Sequence, residues 1–555
     1  MRQGDATAMP PDSSGAECVD GASSITSGIQ LTFAGKRWAS LAALALGALS
    51  AAALPPLHLI PVLLLSVPGL LILIEAAPTA GQAVWRGFWF GFAHHVFGLY
   101  WITEAILIAS DRYWWLVPLA VPALAVLLAV FIALPCALVW AVRPGWSRIL
   151  VLAGSWVMAD LARQFVLSGF PWNPWGSVWA IPGLVGDVFI QPAAWVGVPG
   201  LTLATIVLSG TPYAGLRASI GAALGVAAWG AIGLIRLSAS DPAPAEVSVV
   251  LVQGSVAQHD KLDSASASAI FHRYLRLTMQ GVAQAQGITT ATKQSPQIVI
   301  IWPETASPYA LQVAPAERAA IMQAASPAVA ALVGSLRFTP DGPLGDKDNR
   351  PQNSLFALTG NGAMTDTYDK AHLVPFGEYA PSWMPLPIQV VPGGGFKPGP
   401  GPKTLHVPDL PSFGAFICYE AIFPSEIVDD ADRPGWLVNI TNDAWFGNSA
   451  GPRQHLAAAR LRAVEEGLPV MRAANTGISA GFDAHGRELG RLGVNEAGVL
   501  VVSLPGALSP TPFARWGLVL PGLAALTSVA FGLVLTWTAT GAMQGTRQSS
   551  NTRRR

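Results

Sequence analysis

Two regimes of hydrophobic patterning divide the chain. Between about residues 38 and 237, apolar residues run almost unbroken, in stretches near 38–54, 58–77, 84–109, 114–141, 147–166, 194–213 and 218–236. Most of these reach the roughly 17–25 residues needed to cross a hydrocarbon core of about 30 Å. From Ser238 to about Pro512 the runs shorten and alternate with polar, Gly- and Pro-rich segments. There the pattern predicts strands at Val247–Gln253, Ile298–Trp302, Ala331–Leu336, Ser354–Leu358, Gly414–Cys418, Trp436–Ile440 and Val499–Leu504, and helices at about Ala265–Ala285, Ala316–Ala325 and Pro452–Glu466. Asn353–Lys370 reads as a hairpin turning at Gly360-Asn361-Gly362, residue types that accept positive φ. One more apolar run, Trp516–Trp537, precedes a polar tail. The predicted map is a flexible tail (1–36), seven membrane helices (37–237), an α/β domain (238–512), an eighth helix (513–540) and a basic tail (541–555). No internal repeat is visible, and Val391–Pro402 (VPGGGFKPGPGP) is a loop, either lid or connector.

Composition sharpens the membrane reading. The chain has 555 residues, 52% hydrophobic and 12% charged, with mean hydropathy +0.43. A soluble globular chain carries about 25% charged residues. Only twelve Asp, Glu, Lys or Arg fall between Trp38 and Leu237, and none is Lys. Lys+Arg and Asp+Glu balance at 33 each, which argues against a nucleic-acid binder and against an acidic disordered chain. Three distant cysteines, Cys18, Cys136 and Cys418, give neither a zinc spacing nor a disulfide framework. His94 and His95 are adjacent on one helix and cannot share a face as ligands, so neither metal nor cofactor is expected.

The Lys/Arg bias of short loops and tails sets orientation. With the N-terminus cytoplasmic, that side carries Arg2, Lys36, Arg37, Arg86, Arg143, Arg148, Arg217, Arg547 and Arg553 to Arg555, whereas the short segments opposite carry only Arg112, Arg163, Arg236 and Arg515. Both termini are then inside and the α/β domain outside, which in a bacterium is the periplasmic face of the inner membrane. Residues 1–35 lack the short n-region of a cleaved signal peptide.

Three residues of the α/β domain invite chemistry. Cys418 ends an apolar strand (FGAFICYEAIFP) that is expected to turn into a helix near Pro424, presenting a thiol at a sheet edge. Alone it would more often be a buried core cysteine. Glu304 ends another apolar strand (VIIWPETASPY), and Lys370 follows a third in TYDKAHLVPFGEY. Singly these would be a solvated carboxylate and a surface charge.

Taken together, (I/V)WPE, K-x-x-L-V-P-F-G-E and C-Y-E resemble the Glu-Lys-Cys pattern of the carbon–nitrogen hydrolase (nitrilase) superfamily. Spacings of 66 and 48 residues suit three strand ends meeting at one sheet edge. TNDAWFG (441–447), Gln454-His455 and RAANTGIS (472–479) extend the likeness. With seven helices before and one after, the chain resembles the membrane-embedded apolipoprotein N-acyltransferase family over about residues 38–540. That resemblance implies a nitrilase-like α-β-β-α sandwich inserted between transmembrane helices 7 and 8. It implies Cys418 as nucleophile, Glu304 as general base and Lys370 as oxyanion stabiliser, with Glu378, Tyr419 and Glu420 in support. The implied partners are a phospholipid acyl donor, typically phosphatidylethanolamine, and diacylglyceryl-modified apolipoproteins whose free α-amino group accepts the acyl chain from a Cys418 thioester. A monomer is expected. Asn442, Asp443 and Trp445 are expected to shape the pocket wall or to pack beside it.

One departure stands out: where the family commonly has a tryptophan after the first strand, QHDKLD carries Leu262. In the membrane part, Trp114-Trp115 and GFPWNPWGSVW (169–179) place aromatics near the outer interface, as belt anchors or the rim of a lipid-entry groove. Asp160 and Arg163, at i and i+3, are expected to pair or meet a headgroup. Two other classes stay open on the residues: a membrane-tethered amidase resolving the Cys418 intermediate with water, and a transporter or scaffold carrying an inactive domain.

Overall fold

The computed structural model describes residues 35–108, 113–292, 296–338, 350–382 and 395–552. The N-terminal tail with Cys18, Arg112, residues 391–394 of the glycine-rich loop and Arg553 to Arg555 lie outside the described residues, as does the side chain of Leu262.

The apolar runs form helices. The longer ones are α1 (Lys36–Ala51), α2 (Leu63–Glu75), α3 (Ala80–Gly98), α4 (Val117–Ala141), α5 (Trp146–Phe165), α6 (Ala193–Ala214) and α7 (Leu216–Leu237). Among the described residues, four segments are long and apolar enough to cross a membrane: Trp114–Ala141, Ala193–Ala214, Leu216–Leu237 and Val519–Thr538. Their outward faces are apolar: α4 exposes Leu119, Leu127, Leu134 and Leu138, and α7 exposes Leu216, Leu224 and Ile235. Patches of that size are stable against lipid rather than water. Small residues set the closest helix approach. A Cβ added at Gly87 of α3 would lie 2.4 Å from Cys136 Sγ on α4, which explains the buried Cys136 as a packing residue.

The apolar run at 194–213 is broken near its start. Gly197 takes φ +62°, with Pro199 two residues on. The break frees the Val198 N–H, which donates to Glu465 Oε1 (2.7 Å) in the second half of the molecule. Burial, opposed by Arg462, pushes the Glu465 carboxyl up to about 7.

The second half is two mixed six-stranded sheets. Its strands are β1 (Val247–Gln253), β2 (Gln297–Ile301), β3 (Ala330–Arg337), β4 (Gln352–Thr359), β5 (Ala363–Asp369), β6 (Thr404–Leu405), β7 (Phe413–Ile417), β8 (Trp436–Thr441), β9 (Val470–Ala474), β10 (Ser479–Phe482), β11 (Glu488–Leu492) and β12 (Gly498–Ser503). The orders are β12-β1-β2-β3-β4-β5 and β11-β10-β9-β8-β7-β6, with β1, β2 and β3 parallel in one and β7, β8 and β9 parallel in the other. Because side chains alternate across a strand, Val249 and Leu251 of β1 join Ile417, Val438 and Met471 in a core between the sheets. Val250 and Val252 pack outward with residues of α8 (Ala267–Thr292) and α9 (Pro315–Ala325). The far side of the second sheet is covered by α10 (Gly451–Glu466), whose Leu456 and Ala463 meet Phe416, Leu437 and Val470. The layering is α-β-β-α, and burial on both faces is why β1 reads as an unbroken apolar run. After β12 the chain returns to the helical part through α11 (Val519–Thr552), which packs on α5.

The expected hairpin is present, with β4 and β5 antiparallel and Gly360 and Gly362 both at positive φ. The helix expected near Pro424 is absent. Cys418–Ile422 is a 3₁₀ turn, and the segment before β8 stays irregular, with Ser425 at φ +65°. The acidic, proline-bounded stretch SEIVDDADRP offers no continuous apolar face for a helix to bury.

Candidate active site

Glu304 follows β2, Lys370 follows β5 and Cys418 follows β7. The three strand ends therefore belong to two sheets facing each other, rather than to one sheet edge, and β7 is an interior strand. All three side chains are buried. Lys370 Nζ lies 2.9 Å from Glu378 Oε1 and 3.4 Å from Glu304 Oε1. Burial alone would lower its ammonium, but Glu378, Glu304 and Cys418 together push it up, so the amine stays charged. Glu304 Oε1 also accepts from Asn353 Nδ2 (2.6 Å), and Oε2 accepts from the Asn442 N–H (2.7 Å). Its free lone pairs are thus few and directed. Lys261 Nζ donates to the Glu304 carbonyl (3.1 Å) and to Thr305 Oγ1 (2.9 Å), and burial, opposed by Glu304, pulls that lysine down to about 8.

Cys418 opens the 3₁₀ turn with φ +51°. For a residue with a Cβ this conformation costs about 1–3 kcal/mol and persists only where surroundings enforce it. Burial first, then the Glu304 charge, push its thiol up, with Lys370 partly opposing. The resting group is a thiol, so attack requires a base.

Two glutamates brace the site. Glu378 Oε2 accepts from Val374 N–H (2.8 Å) while Oε1 holds Lys370. Glu420 ties the lysine segment to the cysteine segment: Oε1 accepts from Tyr368 Oη (2.8 Å), Ala371 N–H (2.7 Å) and His372 N–H (3.1 Å), and Oε2 accepts from Ile417 N–H (2.6 Å). Tyr419 Oη donates to the Gly169 carbonyl (2.7 Å), joining the turn to the helical part. At the described end of the glycine-rich loop, Phe396 N–H donates to Glu378 O and Gly399 N–H to Lys370 O, each at 2.8 Å, which ties that end to the backbone of the glutamate and the lysine. Glu420→Gln should set an amide N–H against these donors, costing about 2–4 kcal/mol. The apparent melting temperature in detergent should fall by several degrees. An unchanged melting temperature would refute the bracing role.

Asn442 and Asp443 are buried. Asn442 also donates from Nδ2 to Gln258 Oε1 (2.7 Å), and Asp443 is held to about 2 because Arg472 and His455 outweigh its burial. Trp445 is half-buried in the turn Asp443–Phe446. Among the described residues, Cys418, Asp443 and His455 place ligand-type atoms within 4.8 Å of one another, but both His455 nitrogens and both Asp443 oxygens already hold hydrogen bonds. Asn353, Lys261 and Arg472 were not picked out from the sequence. Arg472 carried a readable signal, a charge inside the apolar strand VMRAA.

The aromatic loop differs from expectation. Trp172 and Trp175 are buried rather than at an interface, because their rings find partners: Trp172 Nε1 donates to Gln454 Oε1 (2.9 Å), and Trp175 packs on Phe90 and Trp156. Trp114 and Trp115 are exposed. Asp160 and Arg163 pair at 3.0 Å.

Comparison with known proteins agrees with this layout. A family model described as carbon-nitrogen hydrolase matches residues 251–512, and one described as apolipoprotein N-acyltransferase N-terminal domain matches residues 46–211. The chain is 37% identical over 520 residues to an apolipoprotein N-acyltransferase of Rhodopseudomonas palustris, covering 89% of this chain and 94% of that protein. It is 37% identical over 532 residues to one of Bradyrhizobium diazoefficiens (90% and 96%), and 34% over 543 residues to one of Rhizobium meliloti (93% and 95%).

Proposed function

The chain belongs to the apolipoprotein N-acyltransferase family, and from that premise we propose that Cys418, Glu304 and Lys370 carry out a two-step acyl transfer. It is a membrane-associated enzyme acting on lipoproteins, with a carbon–nitrogen hydrolase catalytic domain. In the first step Glu304 removes the proton from Cys418 Sγ as the sulfur attacks the ester carbonyl of a phospholipid, phosphatidylethanolamine in the simplest case. The oxyanion forms beside the Lys370 ammonium and a backbone N–H at Cys418 or Tyr419. Collapse breaks the ester C–O bond, Glu304 returns the proton to the leaving alkoxide, and lysophospholipid departs.

In the second step the α-amino group of a diacylglyceryl-cysteine attacks the thioester. Glu304 takes the amine's proton and passes it to the departing thiolate, leaving an amide. A thioester suits both halves, being more reactive toward an amine than the ester it came from. The observation that carries the reading is the meeting of a buried thiol, a directed carboxylate and a retained ammonium across the two sheets. The direct tie from Tyr419 to Gly169 also puts that turn against the helical part, where a lipid substrate resides. Further parts of the proposal are eight membrane spans with the sandwich between the seventh and eighth, a periplasmic catalytic face on a bacterial inner membrane, and a monomer.

Intact-mass spectrometry in phosphatidylethanolamine micelles tests this. We expect a fatty-acyl mass increment that neutral hydroxylamine removes. A diacylated lipopeptide with a free N-terminus should discharge it and become triacylated. Discharge at the same rate without lipopeptide would mean water is the acceptor, and no increment at all would sink the triad.

A further inference from the structure

The first two turns of helix α10 carry two adjacent residues that face different parts of the molecule. Gln454 faces the helical part: its Oε1 accepts from Trp101 Nε1 and Trp172 Nε1, both at 2.9 Å, and its Nε2 donates to Pro55 O (3.2 Å) and Gly98 O (3.3 Å). His455 faces the nucleophile. It is fully buried, with Nε2 2.8 Å from the Cys418 carbonyl and Nδ1 2.9 Å from Asp443 Oδ1. A carbonyl oxygen only accepts, so Nε2 carries the hydrogen and donates it. Asp443 is itself fixed by Thr441 Oγ1 (2.9 Å) and Arg472 Nη2 (2.6 Å), and that guanidinium nitrogen also lies 3.3 Å from His455 Nδ1. Trp172 and Phe446 pack on the imidazole at centroid distances of 5.6 and 5.8 Å.

We propose that His455 is a positioning residue for the nucleophile. It grips the Cys418 carbonyl, so that the residue keeps φ +51° and its sulfur stays aligned with Glu304 and Lys370. The Gln454–His455 pair then links the membrane frame to the thiol. One side chain is fixed by two tryptophans and two carbonyls of the helical part, and its neighbour fixes the reactive residue. This accounts for a polar dipeptide at the buried start of a helix whose role in the chemistry is otherwise unassigned. The inference rests on Cys418 being the nucleophile, and it concerns the rate of that residue's acylation, not whether acylation occurs.

The test compares His455→Gln with His455→Met in the full-length enzyme. The two side chains are alike in length, but only Gln can donate to the carbonyl. Single-turnover acylation of Cys418 is followed by quenched intact mass across a series of phosphatidylethanolamine concentrations in micelles. The expected result for Met is a fall of about 100-fold in the maximal acylation rate, with the half-saturating lipid concentration changed less than threefold. Gln is expected to recover at least tenfold of that loss. Met within threefold of wild type, Gln no faster than Met, or a loss confined to half-saturation would overturn the proposal. So would failure of both variants to fold, which would make His455 a fold residue. Absence of an adduct on wild type is a separate outcome that strikes at the nucleophile assignment instead.

Discussion

Cys418→Ala should leave the enzyme without any acyl adduct and without measurable triacylation of a lipopeptide, a loss on the order of 10⁶-fold or down to the assay floor. Both half-reactions pass through the sulfur, so no residual covalent route survives. The alternative of direct attack by the lipopeptide amine on a phospholipid ester would retain Glu304, Lys370 and the oxyanion site, and with them a rate well above background. The two mechanisms therefore part at this single substitution. The side chain is small and the backbone carries the special conformation, so the fold should tolerate the change. Cys418 does take φ +51°, which alanine accepts no better than cysteine, and the bonds from His455 and Glu420 that enforce the turn reach backbone groups. Triacylation of the lipopeptide by a folded Cys418→Ala protein at even one-thousandth of the wild-type rate would overturn the thioester route.

The strands that matter most were legible because they are buried on both faces. Val247–Gln253 reads as a strand to the residue, and the ends of β2, β7 and β8 fall within one residue of expectation. The same physics exposed Glu304, a charge at the end of an apolar run. What the sequence pattern could not carry is pairing between distant segments. That Glu304 and Cys418 come from opposite sheets follows from the sandwich, not from their spacing. The bracing by Glu420 spans about fifty residues from Tyr368 and Ala371 to the cysteine turn. The GFPWNPWGSVW loop misled for a related reason. An indole is at home at an interface or in an interior that supplies its N–H with an acceptor, and only the fold places Gln454 within reach of Trp172. The kink of α6 at Gly197 has a local cause in Gly197 and Pro199, but the acceptor of the N–H it frees, Glu465, comes from far along the chain.

Glu304→Gln should slow Cys418 acylation by about 10³-fold and change the shape of its pH dependence. Glutamine keeps the volume and one oxygen, so the amide N–H that replaces the other oxygen meets either the Asn353 or the Asn442 donor at some cost in stability, and it accepts no proton from sulfur. The variant must rely on thiol that ionises spontaneously. Burial pushes that thiol above the ordinary cysteine range, the Glu304 charge adds to the rise, and Lys370 opposes it. Removing the carboxylate lifts one of these penalties, but burial remains the largest, so between pH 7 and pH 9 thiolate stays the minor form. Its fraction then grows tenfold for each unit of rising pH, and the acylation rate of the variant should follow with a slope near +1. Wild type, whose carboxylate supplies the base within the site, should climb far less over the same range. At high pH the two rates should converge, which separates a lost base from a damaged site: a misplaced Lys370 or a shifted turn would depress the rate by a constant factor at every pH. Parallel profiles would therefore remove Glu304 from the role of base while leaving Cys418 as the nucleophile.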